Sequence, residues 1–307
     1  MNLITDISQY QKQGAVATIG FFDGVHLGHR YLLQQVTTEA ARRGLRSMAI
    51  TFAHHPRHTL CSDYKPQLIT TFNEKLALLE NIGLDACAVL PFNKEMAQLS
   101  AYDFMELYLK EKLGVECLII GYDHRFGNNR SEGFLDYVEH GHALGIDVVR
   151  AGACNAADIT VSSSAVRRFL EAGNIDKVKT CLGHPYSLSG TVVEGHKVGR
   201  NLGFPTANIL PAPEKIIPGR GVYAVWVKME EQSYPAMLNI GWRPTLNNGA
   251  NSTIEVHLLN FEGDLYGKTL TIFFESRLRD EQKFESLEAL QQQLKADKEL
   301  AHNILHL

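Results

Sequence analysis

Two histidines stand three residues apart in the stretch GFFDGVHLGHRYLL, directly after the apolar run AVATIGF. The run predicts a strand, and a helix is expected to begin near Gly28 or His29. A helix N-terminus offers unpaired backbone N–H groups and a positive dipole end, which favour an anion, most often a phosphate. His26 and His29 could donate to phosphate oxygens and stabilise charge that develops in a transition state. Alternatively, both histidines only cap the turn.

The same motif contains further candidate phosphate contacts. Two glycines in it would let the backbone approach a ligand closely. The candidates are Gly20, Phe22, Gly24 and Gly28.

A second stretch, TVSSSAVRRFLEAGN, predicts a helix capped by Ser162 or Ser163. Hydroxyl and N–H groups would gather at its start, with Arg167 one turn along. Serine and arginine converging on a helix start suit a polyphosphate, so Ser163, Ser164 and Arg167 are candidate ATP contacts. The alternative is that the serines serve only as a cap.

The stretch EGHKVGRNLGFPTANI carries three glycines and two cations ahead of a polar strand. A loop of this composition could fold its N–H groups around phosphates, although it lacks the G-x-x-x-x-G-K-[ST] pattern. The candidate phosphate-binding residues here are Gly195, Lys197, Gly199, Arg200 and Gly203.

Thr206 and Asn208 follow at alternate positions in FPTAN. If the segment is extended, both side chains point to one face. A hydroxyl and an amide carbonyl are hard oxygen ligands, suited to a Mg²⁺ that bridges nucleotide phosphates. The alternative is a strand that begins at proline and carries incidental polar residues.

The run STIEVHLL alternates, with Thr253, Glu255 and His257 on one face and apolar residues on the other. Glu255 is the carboxylate of this run, and on a strand it could accept the proton of an attacking alcohol. A surface glutamate on an amphipathic strand is the alternative.

The predicted strands and helices that must position these residues follow two different patterns along the chain. Up to about residue 183, apolar runs alternate with amphipathic stretches, among them one that Ser100 could cap and Gly114 could end. This alternation predicts an α/β fold, a doubly wound parallel sheet that binds ligands at the carboxyl ends of its strands. After CLGHPYSLSG, successive strand-like runs predict a small antiparallel barrel or sandwich with a C-terminal helix. The expected domains are residues 1–183 and 184–307.

Composition excludes several classes of protein. The 307 residues are 45% hydrophobic and 21% charged with a net charge of −4, which argues against a general nucleic-acid-binding surface. The five scattered cysteines indicate reduced thiols, and no apolar run approaches the roughly 20 residues that span a membrane. We therefore expect a cytoplasmic monomer or weak homo-oligomer without a nucleic-acid or membrane partner. A transition-metal centre built from HHPRH with the two motif histidines is disfavoured because zinc sites favour defined ligand spacings and a second shell.

GFFDGVHLGHRYLL together with VSSSAVRRFL resembles the nucleotidyltransferase superfamily that shares its fold with class I aminoacyl-tRNA synthetases. GYDHRFGNNRSEG and TFAHHPR narrow the resemblance to the adenylyltransferase half of bacterial bifunctional riboflavin kinase/FAD synthetases. It implies that His26 and His29 hold ATP phosphates and that the Ser-Ser-x-x-x-Arg segment holds the triphosphate tail. It places flavin and adenine along GYDHRFG, at Asp123, Arg125 and Phe126. The family usually has Pro-His-Pro where this chain has Ala-His-His-Pro, so no role for His54 follows.

GRNLGFPTANI, GVYAVWV, NIGWRPT and TIEVHLLNFEGDLYGK resemble the riboflavin kinase domain of the same family, a six-stranded barrel. The resemblance implies that Thr206 and Asn208 bind Mg²⁺–ATP and that Glu255 activates the ribityl 5′-hydroxyl. It also suggests that Arg277 contacts the flavin.

The resemblance implies two ATP-dependent steps, phosphorylation of riboflavin to FMN and adenylylation of FMN to FAD with release of pyrophosphate. Riboflavin, FMN and ATP would be the small-molecule partners and Mg²⁺ the metal. Three alternatives stay open: a kinase with a degenerate adenylyltransferase half, a flavin-sensing regulator without turnover, and an aminoacyl-tRNA ligase. The absence of a basic helix-turn-helix pattern counts against the second, and the acidic balance against the third.

Overall fold

The computed structural model describes residues 1–55, 67–122, 124–128, 131–152, 161–195, 203–243 and 251–307. Contacts between Cα atoms divide the chain into two compact units, Met1–Val161 and Ser162–Leu307. Within the described ranges, no helix is long and apolar enough to cross a membrane.

The first unit contains a six-stranded parallel sheet. Its strands are β1 (Asn2–Ile4), β2 (Ala15–Ile19), β3 (Arg46–Phe52), β4 (Ala86–Leu90), β5 (Val115–Ile120) and β6 (Asp147–Arg150). They lie in the order β1-β4-β3-β2-β5-β6, and all neighbours are parallel. The prediction of a doubly wound parallel sheet is thereby confirmed.

Helices cover this sheet on both faces. They are α1 (Leu27–Arg43), α2 (Phe72–Glu80), α3 (Lys94–Gln98), α4 (Ala101–Phe104), its π-helical continuation Met105–Lys112, and α5 (Phe134–Leu144). Alternate residues of β2 enter two separate cores: Ala15 and Ala17 one, Val16 the other. Such alternation requires a sheet buried on both sides. The predicted cap at Ser100 is confirmed, since its hydroxyl accepts from the Asp103 N–H at 3.0 Å.

The direction of chain progress through the sheet reverses beside β2. From β2 the chain moves to β3 and β4 on one side, and then crosses to β5 and β6 on the other. The connections that leave β2 and β5 therefore separate and open a crevice at the carboxyl ends of these strands, where doubly wound sheets bind ligands. The two-histidine motif follows β2, and GYDHRFG follows β5.

The second unit is a closed barrel with helices on its outside. After α6 (Ser163–Glu171) and α7 (Ile175–Leu182) come β7 (Ser187–Val193), β8 (Ala207–Pro211), β9 (Gly221–Met229), β10 (Gln232–Arg243), β11 (Asn251–Leu258), β12 (Thr269–Arg279) and α8 (Leu287–Leu305). The strands close in the order β10-β11-β8-β7-β12-β9, with antiparallel neighbours. The barrel and its C-terminal helix confirm the predicted fold class.

The α6–α7 hairpin packs on the barrel. The Gly219 N–H donates to the Leu170 carbonyl at 2.7 Å, and the Lys179 ammonium pairs with Glu275 on β12. These contacts explain why Ser162–Leu182 groups with the barrel. The domain boundary expected near residue 183 stays a prediction.

A buried ion pair fastens α8 to the end of β12. The guanidinium of Arg279 donates to both carboxylate oxygens of Asp297 at 2.8 to 3.0 Å, and Gln293 donates to the same carboxylate at 2.8 Å. Asp297 is only 2% exposed. Because the pair is desolvated, loss of one partner leaves an uncompensated buried charge.

We predict that Asp297→Ala lowers the free energy of unfolding of the second unit by about 3–5 kcal/mol. Both tryptophans of the chain, Trp226 and Trp242, lie in this unit, so urea unfolding followed by tryptophan fluorescence reports on it. Glu299→Ala, at an exposed position of the same helix, is the matched control. Equal midpoints for the two variants would contradict the prediction.

Candidate nucleotide and flavin sites

The turn after β2 has an unusual backbone. Phe22 and Val25 lie in the left-handed region with φ of 55° and 39°, and Gly24 between them has φ of 80°. For residues with a β-carbon this conformation costs about 1–3 kcal/mol and persists only where surrounding contacts fix it. The turn reverses the chain within a few residues and brings the start of α1 to the ligand edge of the sheet.

Asp23 supplies part of those contacts. Its buried carboxylate accepts from the N–H of Ile69 at 3.2 Å, and from the N–H and hydroxyl of Thr70 at 3.0 and 3.2 Å. The Thr70 hydroxyl in turn accepts from the Gly24 N–H at 3.0 Å. The turn is therefore tied to the segment that leads into α2.

His26 and His29 stack on each other at the start of α1. Their ring centroids are 3.6 Å apart with an interplanar angle of 17°. His26 is the N-cap, since its Nδ1 accepts from the His29 N–H at 3.3 Å. A β-carbon on Gly28 would lie 3.2 Å from the His26 ring, so glycine leaves room for the stack. The capping alternative is correct for His26, but it occupies only one ring nitrogen.

The hydrogen bond from the His29 N–H sets the tautomer of His26. Because Nδ1 accepts, the neutral ring carries its proton on Nε2, which can donate to an anion. Burial lowers the pKa of His26 to about 4, against the opposing effect of Asp23. Burial, and then the charges of His26, His124 and Lys75, also hold the pKa of His29 well below its usual value. Its Nδ1 is buried and has no hydrogen-bond partner among the described residues. The pair is thus neutral near pH 7.

The structure describes most of the other predicted residues of this unit. Gly20 follows β2, and its N–H donates to Ile50 at 3.0 Å. Phe22 is 2% exposed and packs edge-on against His29, so only its backbone could reach a phosphate. Arg125 is exposed, whereas the Phe126 ring stacks at 4.3 Å on buried Tyr137. Asp123 lies outside the described residues, and the flavin roles of these three residues stay predictions.

The serine motif occupies the first turn of α6. Ser162 is the N-cap and accepts from the Ala165 N–H at 3.2 Å, which settles the choice left open by the sequence. Ser163 and Ser164 are the first two helical residues, and Arg167 lies one turn on, half-buried. Backbone N–H groups at a helix start and an arginine have the chemistry that a polyphosphate requires.

The barrel strands align the residues predicted for phosphoryl transfer. In the register of β8, β11 and β10, Asn208 lies opposite Glu255, and Glu255 lies opposite Asn239. Residues opposite each other in an antiparallel pair share a face, so the carboxylate stands between two amides. As predicted, Ile254 and Val256 on the other face are buried.

Gly195 is close to the Asn208 side chain. A β-carbon at Gly195 would lie 1.8 Å from Asn208 Nδ2, so only glycine fits while that amide keeps its position. Gly203, with φ of 80°, comes shortly before Thr206. Lys197, Gly199 and Arg200 lie outside the described residues.

Two cavities meet at Thr206. One, of about 340 Å³, lies between the outer face of the barrel and α8, with Glu255, Asn239 and His257 among its polar lining. The other, of about 430 Å³, is lined by residues of β7, β8 and β11 and of the loop after β11. Thr206 lines both. The first cavity is otherwise largely apolar, and its apolar lining is Phe204, Val222, Met237, Leu238, Phe284, Leu290 and Leu294.

Arg277 does not line either cavity. Its guanidinium donates to the Arg220 carbonyl, pairs with Asp280 at 3.0 Å and lies against Gly173. It thereby holds the α6–α7 turn on the barrel, and its predicted flavin contact stays a prediction. Arg279, two residues on, lines the first cavity.

Sequence reasoning missed several residues that build these sites. Asp23 and Asn239 stood inside the quoted motifs, so their position in GFFDG and NIGWRPT was an available signal. Lys75 and Asp297 lie in ordinary amphipathic helices, and no local pattern distinguishes them from surface charges.

We predict that His26 stays neutral well below the pH at which a free imidazole titrates. A lowered pKa means that the unfolded chain binds the proton more readily, so the contribution to stability is complete above pH 6.5 and is lost as the pH falls toward 4. Histidine NMR of isotope-labelled protein, assigned with His26→Gln, should give a midpoint near 4. A midpoint at 6.5 would contradict the burial of this ring.

Two protein-family models match the chain. The one described as FAD synthetase covers residues 8–165, and the one described as riboflavin kinase covers residues 182–305. The first contains the stacked histidines and the start of α6, and the second contains the whole barrel and α8.

Curated relatives match along nearly the full chain. The bifunctional riboflavin kinase/FMN adenylyltransferase of Escherichia coli (strain K12) is 38% identical over 305 residues, which are 99% of this chain and 97% of that protein. The proteins of the same name from Pseudomonas fluorescens and Bacillus subtilis (strain 168) are 38% and 33% identical, over 94% and 95% of this chain and 92% of each relative.

A solved structure shares the fold of the whole chain. The crystal structure of a macrolide-efflux protein from Streptococcus pneumoniae superposes with a TM-score of 0.90 and 29% identity, over 98% of each chain. That name describes export and the curated names describe flavin chemistry, and a shared fold does not decide between functions. Both family models and the full-length relatives agree: the chain belongs to the family of bacterial bifunctional riboflavin kinase/FMN adenylyltransferases.

Proposed function

We propose that this chain makes FAD from riboflavin in two ATP-dependent steps, a kinase reaction on the barrel and an adenylyl transfer that uses the two-histidine motif. The observation that carries the proposal is the cavity that joins Glu255 and Thr206 beneath α8. Because the stacked histidines are also assembled in the other unit, a kinase with a degenerate partner half is not favoured.

In the kinase step, the apolar part of the cavity would take the flavin ring and leave the ribityl chain near Glu255. The 5′-hydroxyl oxygen would bond to the γ-phosphorus of ATP while the Glu255 carboxylate accepts the proton of that hydroxyl. The bond from that phosphorus to the β,γ-bridging oxygen breaks, and ADP leaves. The second cavity, which shares Thr206, is the proposed place for the nucleotide.

Thr206 and Asn208 are the proposed ligands of Mg²⁺. Hydroxyl and amide oxygens suit this ion when phosphates and waters complete its shell, and the backbone of Gly195 lies close to the Asn208 amide. When bound, the ion would neutralise charge on the transferred phosphoryl group. Gly195, Lys197, Gly199, Arg200 and Gly203 are proposed to contact the phosphates.

In the second step, a phosphate oxygen of FMN would attack the α-phosphorus of ATP, and pyrophosphate would leave. The neutral His26 and His29 would donate hydrogen bonds to phosphate oxygens, and their N–H groups are already oriented by the stack. The backbone at Gly20, Phe22, Gly24 and Gly28 is proposed to contact these phosphates. Ser163, Ser164 and Arg167 on α6 keep their proposed role as ATP contacts. Asp123, Arg125, Phe126 and Arg277 keep their proposed flavin roles.

The proposal includes the cellular location, the partners and the domain boundary of the enzyme. Small molecules are the expected partners, and we place the enzyme in the cytoplasm as a monomer or weak homo-oligomer. The described cysteines, Cys87, Cys117 and Cys181, are free thiols, which suits a reducing compartment. The proposed functional boundary remains at residues 183–184.

Glu255→Gln should lower riboflavin phosphorylation by about 10²–10⁴-fold, because the amide cannot accept the proton. Conversion of supplied FMN to FAD should be unchanged. Chromatography of both reactions measures this, with Glu231→Gln at an exposed turn as the control. Equal loss of both reactions would refute separate sites.

His29→Asn should have the reverse effect. Removal of a preorganised donor should lower FMN adenylylation by about 10²–10³-fold, so that FMN accumulates from riboflavin. His142→Asn, at an exposed position of α5, serves as the control. Normal FAD synthesis by the His29 variant would remove this residue from the site.

Thr206→Val keeps the shape of the side chain and deletes the oxygen. The kinase step should then need a higher concentration of Mg²⁺ for half-maximal rate, while the adenylyl transfer keeps its Mg²⁺ dependence. A Mg²⁺ titration of each reaction distinguishes these outcomes, and an unchanged kinase titration would exclude Thr206 as a ligand.

A further inference from the structure

Lys75 is a buried cation that the proposed reactions do not use. It lies in the first turns of α2 and is only 2% exposed. A buried ammonium group is costly unless its protons are bonded and its charge is compensated. Its surroundings are therefore informative.

The ammonium group joins the carboxyl ends of two central strands. It donates to the Phe21 carbonyl after β2 at 3.1 Å, and to the Thr51 hydroxyl and the Phe52 carbonyl at the end of β3 at 3.2 and 2.8 Å. These three bonds use all its protons. Lys75 therefore has no proton left to donate to a substrate, and it is not a catalytic residue.

The Lys75 ammonium also contacts the Phe21 side chain, beside the left-handed turn. Nζ lies 4.2 Å from the centroid of the Phe21 ring, and the same ring contacts the His55 imidazole at 4.7 Å. Lys75 thus fixes Phe21, the residue directly before the left-handed turn, together with the end of β3 and the segment that follows it.

Lys75 and Asp23 both link the turn to the start of α2, and their hydrogen bonds run in opposite directions between the two segments. Asp23 of the turn accepts from Ile69 and Thr70 before the helix, and Lys75 of the helix donates back to Phe21. We propose that Lys75 is a positioning residue for adenylyl transfer, which holds the Phe21–Val25 turn and so keeps His26 and His29 in register with the nucleotide phosphates. The inference rests on the proposed function of the histidine pair.

Electrostatics gives Lys75 a second effect on the pair. The charged or titratable groups that face these histidines are Asp23 from the turn, Lys75 from α2 and His124 from the segment after β5, and Cys87 on β4 faces Lys75. Burial lowers the pKa of Lys75 to about 8, against the effect of Asp23. Asp23 raises the pKa of His26 and Lys75 lowers the pKa of His29, so the two charges act on the histidine pair in opposite directions.

The test is Lys75→Met in the full-length chain, with Lys94→Met, an exposed lysine of the same unit, as the matched control. We expect kcat/KM for the conversion of FMN to FAD to fall about 100-fold, the scale that misplacement of a catalytic group produces. Riboflavin phosphorylation, measured on the same preparation, should be unchanged and reports on the second unit, and a His26 midpoint that stays far below 6.5 shows that the first unit is folded. In histidine NMR, the titration midpoint of His29 should rise, because the charge of Lys75 lowers the pKa of that ring.

Asp23→Asn tests the same link between the turn and α2 by changing the residue on the turn. It remains informative if Lys75→Met does not fold. It should lower the midpoint of His26, opposite to the effect of Lys75→Met on His29, and Lys75→Arg should leave the midpoints near those of the wild type because it keeps the charge. Wild-type adenylylation with unmoved midpoints in Lys75→Met would overturn the inference, as would shifts of the same sign in Lys75→Met and Asp23→Asn. Wild-type protein that makes no FAD from FMN would instead refute the proposed function.

Discussion

The left-handed turn after β2 is the constraint on which the first unit depends. The chain must leave a buried central strand, reverse within a few residues, and begin a helix whose N–H groups face the ligand edge of the sheet. Phe22 and Val25 accept φ values of 55° and 39° to do this. A backbone of this kind is stable only when it is fixed from outside, and here Asp23 and Lys75 tie it to the start of α2. The stack of His26 on His29 is a consequence of this turn.

In the barrel, the candidate site residues are positioned by strand pairing and not by a strained turn. Antiparallel register alone sets Asn208, Glu255 and Asn239 side by side on three strands, with no strained residue among them. Helix α8, held by the Arg279–Asp297 pair, closes one side of the cavity in front of this row. The two halves thus suit the two proposed tasks: one would position phosphates at a helix start, and the other would set a base beside a cavity for a flat apolar ring.

Local sequence patterns predicted the features of the fold that depend on neighbouring residues. The parallel sheet, the barrel, the Ser100 cap and the alternating faces of β11 all follow from periodicity and capping chemistry. β1 has three residues, too few to show alternation. The bonds of Asp23 to Thr70 and of Lys75 to Phe21 span 47 and 54 residues, so no window of sequence contains both partners. The flavin role of Phe126 stays a prediction; its motif did not show that the ring stacks on Tyr137, because Tyr137 lies outside the motif.

The central claim is that one chain carries both activities in a fixed order. The most direct test is a chromatographic time course of the purified protein with riboflavin, ATP and Mg²⁺. The account predicts that FMN appears first and then declines as FAD and pyrophosphate accumulate. FMN that persists without FAD, or bound flavin that is never converted, would contradict it.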